Sequence, residues 1–186
     1  MASTSKDNLG KISVKSGRVP EVDAMRASDF DDVVEIERGA FGRRAWTPDY
    51  FFQRCTAWRI TPRVVRLDVL NEPQPAGFVL LEGADRCYRI VRLAVADWAR
   101  GRRVASALLA NALRQMTPQR PRVRMVVEES FLYDQPALIA LIRSNGFEAT
   151  GVMQGDHRDN QVPLIVFVAQ RRGLVDRLAH LKKDTD

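Results

Sequence analysis

VRLAVADWARGRRVASALL, residues 91–109, is the stretch whose reading decides the fold. Val91, Leu93 and Val95 form an apolar run suited to a buried strand. The basic turn Arg100-Gly101-Arg102-Arg103-Val104-Ala105 follows, and from Ser106 the apolar residues recur at helical spacing. A strand feeding a basic turn that opens a helix suits a phosphate. The first helical amides have no intrahelical partner, and the helix dipole favours an anion there. Three arginines among Arg100–Arg103 add charge at the same point. An ordinary strand-to-helix junction with a solvated basic turn fits the same spacing. Turns that wrap a diphosphate also carry glycine where the backbone must come close, whereas here Arg103 stands mid-turn.

The 186 residues, 45% of them hydrophobic, suit one α/β domain with tails. We read 1–19 as a flexible basic arm, 20–172 as the domain and 173–186 as a basic helix or tail. The net charge of +6 sits mostly in those tails. Residues 1–20 contribute +3 (Lys6, Lys11, Lys15 and Arg18 against Asp7) and 171–186 contribute +2, leaving about +1 for the body. A nucleic-acid face on the domain is therefore not expected, although the tails retain an electrostatic role as one reading. No apolar run approaches the roughly 20 residues of a membrane span, and the first 20 residues lack the apolar core of a secretory signal. Cys55 and Cys87, with two histidines, give neither metal-ligand spacing nor a disulfide framework. Two reduced, buried thiols suit a cytoplasmic protein.

Along the chain, Glu21–Ala27 reads as a strand. Ser28 or Asp29 caps a helix to Ala40, and Thr47 caps a second, with Pro48 in its first turn, ending near Ala57. Strands are expected at 64–70, 76–82 and 88–95, with Asn71–Pro75 as turn chemistry between the first two. A helix over 103–116 precedes a strand at 123–127. Asp134 is expected to cap a helix that stops at Asn145-Gly146, and strands at 147–153 and 162–169 flank a loop over 154–161. The order β-α-α-β-β-β-α-β-α-β-β is α/β with a mixed sheet.

Several segments, in this order, resemble one family. They are Met25-Arg26-Ala27-Ser28-Asp29 with Ile36-Glu37, Phe41 and Trp46-Thr47; Leu93-Ala94-Val95 with Arg100-Gly101 and Val104-Ala105; and Ala137 to Leu141 followed by Asn145-Gly146-Phe147. Across 21–170 the chain is similar to the GCN5-related N-acetyltransferases, and among them to the bacterial type that acetylates ribosomal-protein N-termini. The resemblance implies a single domain whose mixed sheet holds a splayed pair of parallel strands, 88–95 and 123–127. Acetyl-CoA is then the co-substrate, without a metal. Its pantetheine would add to the backbone edge of Leu93, Ala94 and Val95. Its diphosphate would sit on the open amides of Arg102, Arg103, Val104, Ala105 and Ser106, with Arg100 and Gly101 in the same cofactor-binding turn. An amine acceptor, with a protein N-terminus as one case, would attack the thioester directly. A homodimer is compatible with the resemblance.

The chain departs from that pattern twice. Arg103 replaces a glycine, and its amide remains usable if the turn avoids positive φ. Counting back from Gly146, Gln135 takes the place of the family's cofactor-binding asparagine and Ile142 that of the tyrosine which serves as general acid. Tyr133, in the loop before Asp134, and His157, in the loop between the last strands, are the substitute donors. Glu128 and Glu129, at the end of the strand beside the gap, are the candidate bases. As neighbours on a strand they would face opposite ways, so at most one faces the site. Each of these four also reads as an ordinary surface or strand-end side chain. Glu37 would line the acceptor groove or serve the fold. The competing function is a CoA-binding module without catalysis, to which both departures are suited.

Overall fold

The computed structural model describes residues 19–157 and 160–171, apart from the side chains of Asp134 and of residues 155–161. The arm and the C-terminal helix expected from the sequence lie outside the described residues. Seven strands form one sheet: β1 (Val22–Ala24), β2 (Ile60–Val69), β3 (Glu72–Gly83), β4 (Tyr88–Val95), β5 (Arg122–Glu128), β6 (Glu148–His157) and β7 (Asn160–Gln170). Helices α1 (Phe30–Phe41) and α2 (Pro48–Cys55) come between β1 and β2, and α3 (Val104–Arg114) links β4 to β5. Helices α4 (Glu129–Asp134) and α5 (Pro136–Ser144) lead from β5 to β6. The spatial order is β1-β2-β3-β4-β5-β7-β6. Only β4 and β5 run parallel among these neighbours.

The central strand β3 buries every residue from Ala76 to Leu81, as a strand covered on both faces must. Adjacent side chains show which helix covers which face. Phe78 meets Phe51 of α2 edge-on, ring centroids 5.2 Å apart. A Cβ placed on neighbouring Gly77 would lie 2.7 Å from Val104 Cγ1 and 2.8 Å from the Ala94 carbonyl. Glycine at 77 thus lets the start of α3 settle directly on the sheet, on the face opposite α2. A fully buried Leu, Val or Phe on such a strand contributes about 1.5–3 kcal/mol.

Four local expectations change. Leu70 and Asn71, with φ of 53° and 69°, make the tight β2–β3 turn, and Pro73 and Pro75 lie inside β3. Asp29 precedes α1, but its carboxylate turns back to accept the Arg26 N–H at 2.6 Å and to pair with Arg66. Glu129–Asp134 is a helix, so Tyr133 lies on a helix and Asp134 ends α4 where a cap for α5 was expected. Strand β6 extends to His157, which pairs with Asn160 of β7, so His157 closes a strand where a longer loop was expected. Thr47 does cap α2, its Oγ1 accepting the Tyr50 N–H at 3.3 Å.

Candidate active site

Strands β4 and β5 pair only through Tyr88–Ile90 and Val123–Met125. Beyond Ile90 they diverge, while β4 stays paired to β3 as far as Val95. The β5-facing edge of β4 over 91–95 is therefore without a strand neighbour, which leaves its alternate amides and carbonyls open for strand addition. A cleft of about 740 Å³ opens at the divergence. Leu93, Met125, Val127 and Leu138 give it an apolar wall.

At the far end of β4, a turn leads into α3. The amides of Arg103, Val104, Ala105 and Ser106 precede the first helical bond, from Ala107 N–H to the Arg103 carbonyl at 3.0 Å. The Arg102 amide is spent on the Ala99 carbonyl at 3.4 Å, so it drops out of the expected set of open donors. The turn does not avoid positive φ: Gly101 has φ 74°, and Arg103 has φ 62° and ψ 13°. Arginine adopts the left-handed shape that glycine would supply, which keeps the amides at the helix start in place. The Arg100 guanidinium lies 2.7 Å from Asp97 with both side chains exposed. An ion pair that open to water is worth little and is readily exchanged for a phosphate. These features fit an extended donor with an anionic end. A second hollow, about 260 Å³ between α1 and the end of β4, is edged by Asp32, Glu35 and Asp97 and is poorly suited to an anion.

Across the cleft, the end of α1 supplies Phe41, and the connection to α2 supplies Arg43, Arg44 and Trp46. An ion pair that sequence reasoning missed fixes this segment. Glu37, fully buried on α1, accepts from Arg92 Nη2 at 2.5 Å, from Arg92 Nε at 2.9 Å and from the Trp46 N–H at 3.0 Å. The Arg92 guanidinium stacks on Phe41 and Trp46, 3.5 Å and 4.7 Å from their ring centroids. It also donates to the Arg44 carbonyl at 2.8 Å. The signal was present: Glu37 falls at an apolar helical position beside Val33 and Val34, and Arg92 interrupts the apolar run of β4. Two opposite charges at core positions imply each other.

Among the four proposed acid–base residues, Glu128 alone of the described side chains lines the cleft. It ends β5, its side chain is 14% exposed, and it pairs with Arg44 while accepting from Ser130 Oγ at 2.7 Å. Glu129 begins α4 and accepts from the Tyr133 hydroxyl at 3.3 Å, and Tyr133 is 77% exposed. Those two residues partner each other outside the cleft lining. Gln135 is exposed at the joint between α4 and α5, donating its backbone N–H to Phe131 O at 3.0 Å. Ile142 is wholly buried in the core. Val162 of β7 also lines the cleft.

A model of the acetyltransferase (GNAT) family matches residues 30–147, from α1 through α5. The chain belongs to the GNAT acetyltransferase family. It is an N-acetyltransferase with acetyl-CoA as its co-substrate. No curated protein is similar enough in sequence to count as a relative. Solved structures share the GNAT fold at low identity. The ribosomal-protein alanine N-acetyltransferase of Escherichia coli superposes with a TM-score of 0.64 at 15% identity, covering 81% of this chain and 92% of its own. Arabidopsis thaliana NAA60 in complex with acetyl-CoA gives 0.66 at 17% identity, covering 80% and 98%. A phosphinothricin acetyltransferase from Sinorhizobium meliloti in complex with the same donor gives 0.61 at 16%, covering 82% and 89%. Among the described residues no helix is long and apolar enough to cross a membrane.

Proposed function

We propose that this GNAT enzyme transfers acetyl to a primary amine that enters from the α1–α2 side, with Glu128 as the proton acceptor. The observation that carries the reading is the Glu128 carboxylate on the lining of the cleft, where the parallel strands part. Donor and acceptor then approach from opposite faces. The donor lies along Leu93–Val95 with its diphosphate on the turn Arg100–Ser106, below α3. Glu128 first takes a proton from the acceptor's ammonium. The free amine then attacks the thioester carbonyl carbon: the N–C bond forms, the C–S bond breaks, and the nitrogen's second proton is released to solvent as the amide forms. The departing sulfur takes up a proton, for which we favour His157, because it pairs with Asn160 of β7, two residues before Val162 on the cleft lining. Burial of both reactants between the strands supplies the positioning on which direct transfer depends. The name of the Escherichia coli structure, an enzyme for a ribosomal-protein alanine, supports a protein or peptide α-amine as the acceptor, and the free thiols of Cys55 and Cys87 suit a cytoplasmic setting.

Glu128→Gln keeps the shape and removes the base. Turnover, followed as free thiol from acetyl-CoA, is expected to fall about 10²–10⁴-fold, while calorimetric affinity for acetyl-CoA stays within about twofold. Full activity in the amide variant would end the assignment of Glu128. His157→Ala is to be read separately, as a shift in the alkaline limb of the pH–rate profile.

A further inference from the structure

Among the described residues, the acceptor side of the cleft carries more positive than negative charge. Arg43 and Arg44 both line it from the α1–α2 connection, Arg92 stands behind them already paired to Glu37, and Glu128 is the acidic residue of the described lining. Arg44 is held for this position. Its backbone carbonyl is gripped by Arg92, and its guanidinium lies 5.5 Å from the Phe131 ring centroid and against Glu128, with the side chain 54% exposed. Arg43 is exposed on the same rim.

An amine arrives as an ammonium and must reach the carboxylate that Arg44 covers. Displacing Arg44 with a plain amine leaves the guanidinium to solvent. An acceptor that carries a carboxylate next to its ammonium completes both pairs at once, ammonium to Glu128 and carboxylate to Arg44. A cationic neighbour would instead meet two arginines. We infer that Arg44, supported by Arg43, is a specificity determinant that selects acceptors bearing an anionic group beside the reacting amine. This rests on the reading of the cleft under Proposed function. The anion has two sources: the α-carboxylate of a free amino acid, or an acidic side chain just after a peptide N-terminus.

Matched acceptors separate these sources. Initial rates at saturating acetyl-CoA are compared for the amidated tripeptides Ala-Asp-Gly, Ala-Asn-Gly and Ala-Lys-Gly, and for free alanine against alaninamide. The acidic member of at least one pair is expected to exceed its amide in kcat/KM by about tenfold, the scale of one charge-assisted hydrogen bond discounted for solvent. The lysine peptide should fall below both tripeptides. Preference within the peptides assigns the side-chain source, and preference within the free amino acids assigns the α-carboxylate. In Arg44→Gln the acid-to-amide ratio should approach one, and Arg44→Lys should restore part of it. Equal rates for acid and amide in both wild-type pairs would overturn the inference while leaving the transferase reading intact. An undiminished ratio in Arg44→Gln would remove Arg44 from the role. No turnover of any amine by protein that binds acetyl-CoA would overturn the reading beneath it, and the inference with it.

Discussion

Arg103 spends free energy to keep its shape. A left-handed backbone costs an L-residue about 1–2 kcal/mol, and glycine would escape that cost while adding freedom to the unfolded chain worth about 0.4–1 kcal/mol. The first is the larger. Arg103→Gly is therefore expected to leave stability unchanged or to raise it by up to about 1.6 kcal/mol in denaturant melts. Its affinity for acetyl-CoA, measured calorimetrically, should fall about tenfold as a phosphate loses a guanidinium. Unchanged affinity would mean that only the amides at this turn matter. A second arginine, Arg92, has no such latitude, because removing it strands the fully buried carboxylate of Glu37. Arg92→Ala should cost about 3–5 kcal/mol, and a loss under about 1 kcal/mol would show that Glu37 finds another partner.

At the scale of elements, the strands and helices that carry a long periodic signal were legible in the sequence, including β4, the basic turn and α3. The misreadings have local causes. Pro73 and Pro75 look like turn residues, yet β3 from Glu72 to Pro75 has β2 alone as a strand neighbour, since bonding on the β4 side begins at Ala76, whose carbonyl accepts the Ala96 N–H. An edge segment tolerates a missing N–H. Helix α4 spans only Glu129–Asp134, too short for a helical period to stand out from a loop. With it went the argument that Glu128 and Glu129 face opposite sides of one strand. The pairing of Arg44 with Glu128 joins residues 84 positions apart, and no local pattern announces such a contact. The gap between β4 and β5 was expected from family resemblance alone, because the divergence of two strands leaves no mark in either one's composition.

For the whole molecule, one ion-paired cluster ties the first strand to the sheet. Arg66 of β2 donates to Asp29 at 2.5 Å and 3.0 Å and to Asp23 of β1 at 3.0 Å. Burial alone would raise the Asp29 carboxyl, but its hydrogen bonds from Arg66 and the Arg26 amide, with the charge of Arg66, outweigh burial and hold it below its ordinary 3.8. A carboxylate depressed in the folded state adds stability that is complete above its unfolded value and disappears as the pH falls through the folded one. Unfolding midpoints should thus decline as the pH drops below about 4, and Asp29→Asn should flatten that decline. An identical acid limb in both proteins would locate acid sensitivity elsewhere. The cysteines add no such dependence near neutrality at position 55: burial, with the charge of Glu37, pushes the Cys55 thiol up to about 11.

The parting of β4 from β5 also bears on how this protein avoids its own kind. Unpaired ladder groups on an outer strand would offer any other chain a template for edge-to-edge association. Here they lie in the interior of a seven-stranded sheet, overlooked by Arg44, Phe131 and Leu138 at the cleft. A slim, extended molecule can slide into that slot, whereas a strand carried by another folded domain cannot. By placing its missing rung in the middle of the ladder, the fold keeps a reactive backbone open to a small donor while withholding it from aggregation.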